Sequence, residues 1–167
     1  MAKSEVDLVT DKVVANRGIL AKLYFDMHSA TQEELQPVMT ELVNNRILKS
    51  KGVVYCFGSI DEPLKVKDEF STSAELTILF NDLDSMVNVV FSFSPIAIEI
   101  LRPKGEYVMR TQDLQSSMLT LSEISMKYSE YILREVLSPE DLEKVKSDMK
   151  SREEVGKRLM QKKPDQS

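Results

Sequence analysis

Between Gly18 and Asn45, in GILAKLYFDMHSATQEELQPVMTELVNN, the spacing of apolar residues changes from two to three and four. Ile19, Ala21, Leu23, Phe25 and Met27 take every second position, the period of a strand with one packed face. From Leu35 onward, Leu35, Val38, Met39, Leu42 and Val43 follow the period of a helix with one buried stripe. A strand that runs straight into a helix is the first half of a crossover, because parallel strands cannot be joined by a tight hairpin. The helix is predicted to open at Thr31, with Glu34 closing a capping box. Pro37 then either marks the true helix start or bends the helix.

The same logic recurs downstream. After the KSKG turn, VVYCFGSI alternates again, and Pro63 in DEPLKVKDE points to a hairpin or an edge rather than a central strand. Ala74, Leu76, Ile78 and Phe80 alternate in a third strand. Asn81-Asp82 stops that strand and caps a second helix with Leu83, Met86, Val87, Val90 and Phe91 as its stripe. IAIEILRP gives a fourth strand, with Ile96, Ile98 and Ile100 on one face. The order strand, helix, strand, strand, helix, strand predicts an α+β fold, the ferredoxin-like βαββαβ sandwich with both helices on one face of an antiparallel sheet.

From Thr111 the pattern becomes a long helix, whose row Leu114, Met118, Leu121, Tyr128 and Ile132 resembles a coiled-coil seam. Ser138-Pro139 with Asp141 restarts a second long helix. The chain therefore divides into a flexible N-terminal segment 1–17, a ferredoxin-like α+β domain 18–110, and a C-terminal helical hairpin and tail 111–167. Lys163 to Ser167 is expected to fray.

Several function classes are set aside by composition. No apolar run reaches the roughly 20 residues of a membrane helix, and MAKSEVDLVTDKVV carries acids where a signal peptide would be basic. The single cysteine, Cys56, has no internal disulfide partner, which fits a cytoplasmic address. One His and one Cys cannot build the usual zinc set, and five isolated glycines draw no phosphate-binding loop. No metal or cofactor is expected. A net charge of -5 weighs against nucleic-acid binding, which needs clustered Lys and Arg.

DMHSAT is the one local group with catalytic residue types. A hydrolase would use His28 as base, Asp26 as its orienter and Ser29 as nucleophile. Side chains two apart on a strand stand roughly 6–7 Å apart, beyond one hydrogen bond. The group therefore reads as a solvated strand end, and no catalytic, cofactor-binding or metal residue is assigned. Cys56 shares the alternation of Val54 and Ile60 and reads as a small buried hydrophobe. Tyr24, Tyr55, Phe57, Leu79 and Leu101 form a semi-apolar sheet face that the C-terminal helices or another subunit must cover. Two long helices also carry more apolar surface than one small sheet can bury. A noncatalytic, self-associating binding or regulatory module, a homo-oligomer with an unidentified small-molecule ligand as a further partner, is the expected role. An enzyme with an inter-subunit site around Asp26, His28 and Ser29 is the alternative.

FSTSAELTILF, FSFSPIAIEILRP and KYSEYILREVL resemble segments of uncharacterised archaeal proteins in which a ferredoxin-like α+β body precedes a helical tail. The topology also resembles that of small-molecule-sensing ACT domains. That resemblance implies a ligand at a subunit interface near the loop after the first strand, here His28-Ser29-Ala30.

Overall fold

The computed structural model describes residues 4–161. They divide into two compact units, with the boundary between Ile124 and Ser125, inside a helix.

The first unit opens with α1, Glu5–Ala15, where a flexible segment was expected. Its start is fixed by a capping box: Asp7 N donates to the Ser4 hydroxyl at 3.2 Å, and Ser4 N donates to the Asp7 carboxylate at 3.1 Å. Residues 1–3 and the C-terminal residues 162–167 lie outside the described residues, and with them the expected fraying after Lys163. After α1 come β1 (Ile19–Ser29), α2 (Gln32–Glu41), β2 (Val53–Ile60), β3 (Leu64–Val66), β4 (Glu69–Phe80), α3 (Leu83–Phe93) and β5 (Ala97–Arg102). The sheet is antiparallel and five-stranded, in the order β2-β4-β1-β5 with β3 beside the start of β4. Since β1 and β2 both run antiparallel to β4, they are parallel to each other, and α2 is the crossover that their direction demands. This is a mixed α+β architecture consistent with the ferredoxin-like sandwich.

Register places the predicted stripes opposite one another. Leu23 faces Leu76 and Ile98, while Ala21 faces Ile78 and Ile100. Ile19, Ala21, Leu23 and Phe25 are buried, with Leu76, Ile78 and Phe80 beside them. Over this face α2 contributes Leu35 and Met39, and α3 contributes Met86 and Val89. On α3 the buried stripe is rotated from the expected one: Val89 and Phe93 pack on the core, whereas Phe91 is exposed.

Pro37 lies inside α2, so the helix neither starts there nor stops there. It continues as a π-helical stretch, Leu42–Ile47, closed by Leu48 N donating to Val43 O at 2.9 Å. In a regular α-helix Ile47 would stand about 80° around the axis from Met39. The wider π turn winds more slowly and brings both onto one side, where both are fully buried. Thr31 makes no side-chain cap bond, so the expected capping box does not form.

The other sheet face is covered in part by α1. Thr10 is buried, and its hydroxyl lies 2.7 Å from the Val6 carbonyl and 2.8 Å from the Tyr55 hydroxyl. Because the Thr10 proton goes to Val6, Tyr55 is the donor in the second bond. Arg102 Nη1 donates to Asp11 Oδ1 at 2.7 Å, tying α1 to β5 as well. Leu79, on this same face, is fully buried. A Thr10→Val variant is expected to lose about 1 kcal/mol, seen as a lower urea midpoint; an unchanged midpoint would mean that the α1 contact contributes nothing.

α4 (Thr111–Val136) crosses the boundary between units, which therefore falls later than the expected division at residue 110. In the second unit the end of α4 is followed by α5, Pro139–Gln161. Ser138 caps α5, accepting from Asp141 N at 3.3 Å. Leu133, Leu137, Leu142, Val145 and Met149 are half-buried there, while Tyr131, Ile132 and Val136 are exposed.

Candidate functional site

The strand carrying Asp26 and His28 runs two residues further than its alternation suggested, to Ser29. His28 Nε2 lies 3.0 Å from Asp26 Oδ2, so the separation inferred from strand spacing is overturned. The long side chains lean along the strand and close the gap between their backbones. Ser29 points to the opposite face, where its Oγ accepts from Thr31 N at 3.2 Å and lies 3.4 Å from Thr31 Oγ1. Among the described residues no hydrogen bond joins Ser29 to His28. The structure brings base and orienter together and leaves the hydroxyl elsewhere.

Cys56 sits opposite Ile78 and packs half-buried against the core, but Val54, expected on the same face, is exposed because a bulge between Val53 and Tyr55 breaks the alternation. Burial pushes its thiol up to about 11. The neutral thiol is thus the form that the fold favours; its contribution to stability is present below the unfolded thiol's pKa and is lost as pH rises through about 11. At pH 8, reaction with a disulfide reagent is expected to run about a hundredfold slower in the folded protein than in urea, given the smaller thiolate fraction. Equal rates would place the thiol in solvent.

A polar cleft of about 230 Å³ opens between the α1–β1 turn, the start of α3 and the segment leading into α4, lined by Arg17, Asn81, Asp82, Tyr107, Arg110 and Asp113. Arg110 grips Asp113 twice, through Nε at 2.9 Å and Nη2 at 2.7 Å, and this holds the Asp113 carboxyl below the usual range. Asp82 caps α3, accepting from Ser85 N at 2.8 Å, and Asp84 accepts from the Thr120 hydroxyl at 2.6 Å. Tyr107 donates to the Arg17 carbonyl at 2.8 Å; its pKa is raised by burial first and by Asp82 and Asp113 after that. Among the described residues the Arg17 guanidinium has no ion-pair partner. Each of the carboxylates here, Asp82, Asp84 and Asp113, is already engaged in a hydrogen bond. Sequence reasoning passed over it; Arg110 and Asp113, three apart at a helix start, were the available signal. No group of three His, Cys, Asp or Glu among the described residues is placed to hold a metal.

The third feature is β5 itself. It ends the strand order, paired on one side with β1. Ile98 and Ile100 lie on the core side of the sheet, yet they are 44% and 47% exposed, and Ile96 before them is 63% exposed. These values decide the matter, because residues at matching positions on β1 and β4 are essentially closed to solvent.

Comparison by sequence matches a family model over residues 20–161. The chain belongs to the MJ0538 family. The match takes in all of the sheet but Ile19, together with α2, α3, α4 and α5, and leaves out α1. No curated protein and no solved structure matches the chain. No helix among the described residues is long and apolar enough to cross a membrane.

Proposed function

We propose that this chain is a cytoplasmic, noncatalytic binding or regulatory module that self-associates. The observation that carries the reading is the β5 edge, where Ile98 and Ile100, which belong to the core face, are nearly half exposed. Exposed Tyr131, Ile132 and Val136 in the second unit support it independently, as apolar surface that one small helical hairpin leaves uncovered. A small ligand fits the polar cleft, with Arg17 as the guanidinium free to meet it. The ACT-like resemblance would instead place a ligand at a subunit interface beside His28, Ser29 and Ala30. The family match supports the resemblance to uncharacterised archaeal proteins.

An enzyme built around Asp26, His28 and Ser29 is favoured by one observation, the 3.0 Å His28–Asp26 contact. Against it, the Ser29 hydroxyl is engaged with Thr31. Native mass spectrometry of the full chain at low micromolar concentration tests the main reading: a dimer or larger species supports it, and a monomer at every concentration overturns it. In a panel of hydrolase substrates, turnover abolished by His28→Ala would establish the alternative.

A further inference from the structure

We infer that the polar cleft between the α1–β1 turn and the starts of α3 and α4 binds a small monocarboxylate through Arg17. The inference rests on the reading of this cleft as a ligand site and does not depend on self-association. Arg17 follows Asn16, the C-cap of α1. Gly18 N donates to Val13 O at 2.8 Å and Arg17 N to Val14 O at 3.1 Å, the paired bonds of a Schellman motif. The motif sets its first residue past the cap in the left-handed region, and Arg17 has a φ of 71°. Glycine is the usual residue there, because a Cβ is unfavourable in that conformation. The chain instead places an arginine at this position, and that arginine lines the cleft. The Tyr107 hydroxyl, donating to the Arg17 carbonyl at 2.8 Å, holds the turn from the other side. The charge of Arg17 reaches across the cleft to Asp113, whose carboxyl is held low first by its bond to Arg110 and to a lesser degree by Arg17.

The class of ligand follows from which groups in the cleft are already engaged. Arg110 is committed to Asp113 by two hydrogen bonds. Asp82 accepts from both the backbone N and the hydroxyl of Ser85, and Asp84 accepts from the Thr120 hydroxyl. Asp82 caps α3, while Asp84 and Asp113 stand in the first turns of α3 and α4, where the helix dipoles offset their charge. Arg17 is then the lining cation without an ion-pair partner among the described residues. A guanidinium presents a planar fork of N–H donors, which a carboxylate or a phosphate matches with two oxygens. The three aspartates decide between them. Any negative charge beyond the one that Arg17 meets would stand beside these carboxylates and be repelled, which disfavours a phosphate dianion or a dicarboxylate. At about 230 Å³ the cleft lies below the range of drug-sized pockets, so the guest is a short-chain acid, with Leu83 as apolar lining for its tail.

The test is an NMR titration of the full chain with propionate, beside succinate and inorganic phosphate as more highly charged probes. Propionate is expected to shift the backbone amides of Arg17, Asn81 and Asp113 saturably, and the other two to bind roughly tenfold more weakly. Arg17→Gly separates binding from folding. Glycine suits the left-handed position, so the variant is expected to melt at or above the wild-type temperature. Its affinity for propionate is expected to fall roughly tenfold or more, because the charged donors are gone. Arg17→Asn, which also tolerates that conformation, is expected to lose binding in the same way. An Arg17→Gly chain that binds propionate as wild type does overturns the inference. Tighter binding of succinate or phosphate overturns the monocarboxylate class and keeps the cleft as a ligand site. The absence of saturable shifts with all three probes overturns the inference together with the ligand reading of the cleft, and leaves self-association to the native mass spectrum.

Discussion

A Phe80→Ala variant is expected to lose about 3–5 kcal/mol of folding stability. Phe80 is fully buried: it ends β4, faces Ile19 on one side and Val53 on the other, and belongs to the cluster shared by the sheet and its helices. Truncation there leaves a cavity that strands hydrogen-bonded on both sides cannot close. Against a total of about 5–15 kcal/mol, the loss removes a large part of the stability. Urea unfolding should show it as a midpoint lower by at least about 1 M. A shift near zero would mean that the end of β4 is not part of the cooperative core.

Gly58→Val carries the second large effect, and its sign separates local preference from tertiary contact. Valine is among the residues that strands favour, so propensity alone predicts a gain. In the fold, however, a Cβ at Gly58 would stand on the Glu75 carbonyl oxygen, in the backbone of β4. No side-chain rotation relieves a clash with backbone. The variant is expected to lose at least about 2 kcal/mol as β2 moves away from β4. Hydrogen exchange should then show lost protection in β2, with β1 and β5 protected as before. A variant as stable as wild type, with β2 still protected, would overturn this account of the glycine.

The candidate sites were less legible than the fold, for physical reasons that differ from site to site. Asp26 and His28 were visible as a pair in the chain, but strand spacing measures backbone separation and ignores how far side chains lean. The polar cleft joins Arg17, Asn81 and Arg110, which are remote in sequence, so no local period could assemble it. The β5 isoleucines read as an ordinary core stripe. Only the strand order, which puts β5 at an edge, turns the same stripe into exposed surface.

Alternation on β1 and β4, the helical spacing of α2 and α3, and the break at Ser138 were determined by the sequence, because strand and helix impose their periods on whatever face is buried. Tertiary structure decided the rest. On α3, apolar residues surround most of the helix, so two stripes were equally well spaced, and contact with the sheet selected Val89 and Phe93 over Phe91. On the sheet face that carries Leu79, α1 packs through Thr10 against Tyr55, and its short apolar run carries no strong period of its own. Periodicity says which side of an element seeks cover, and only the packed chain says what provides it.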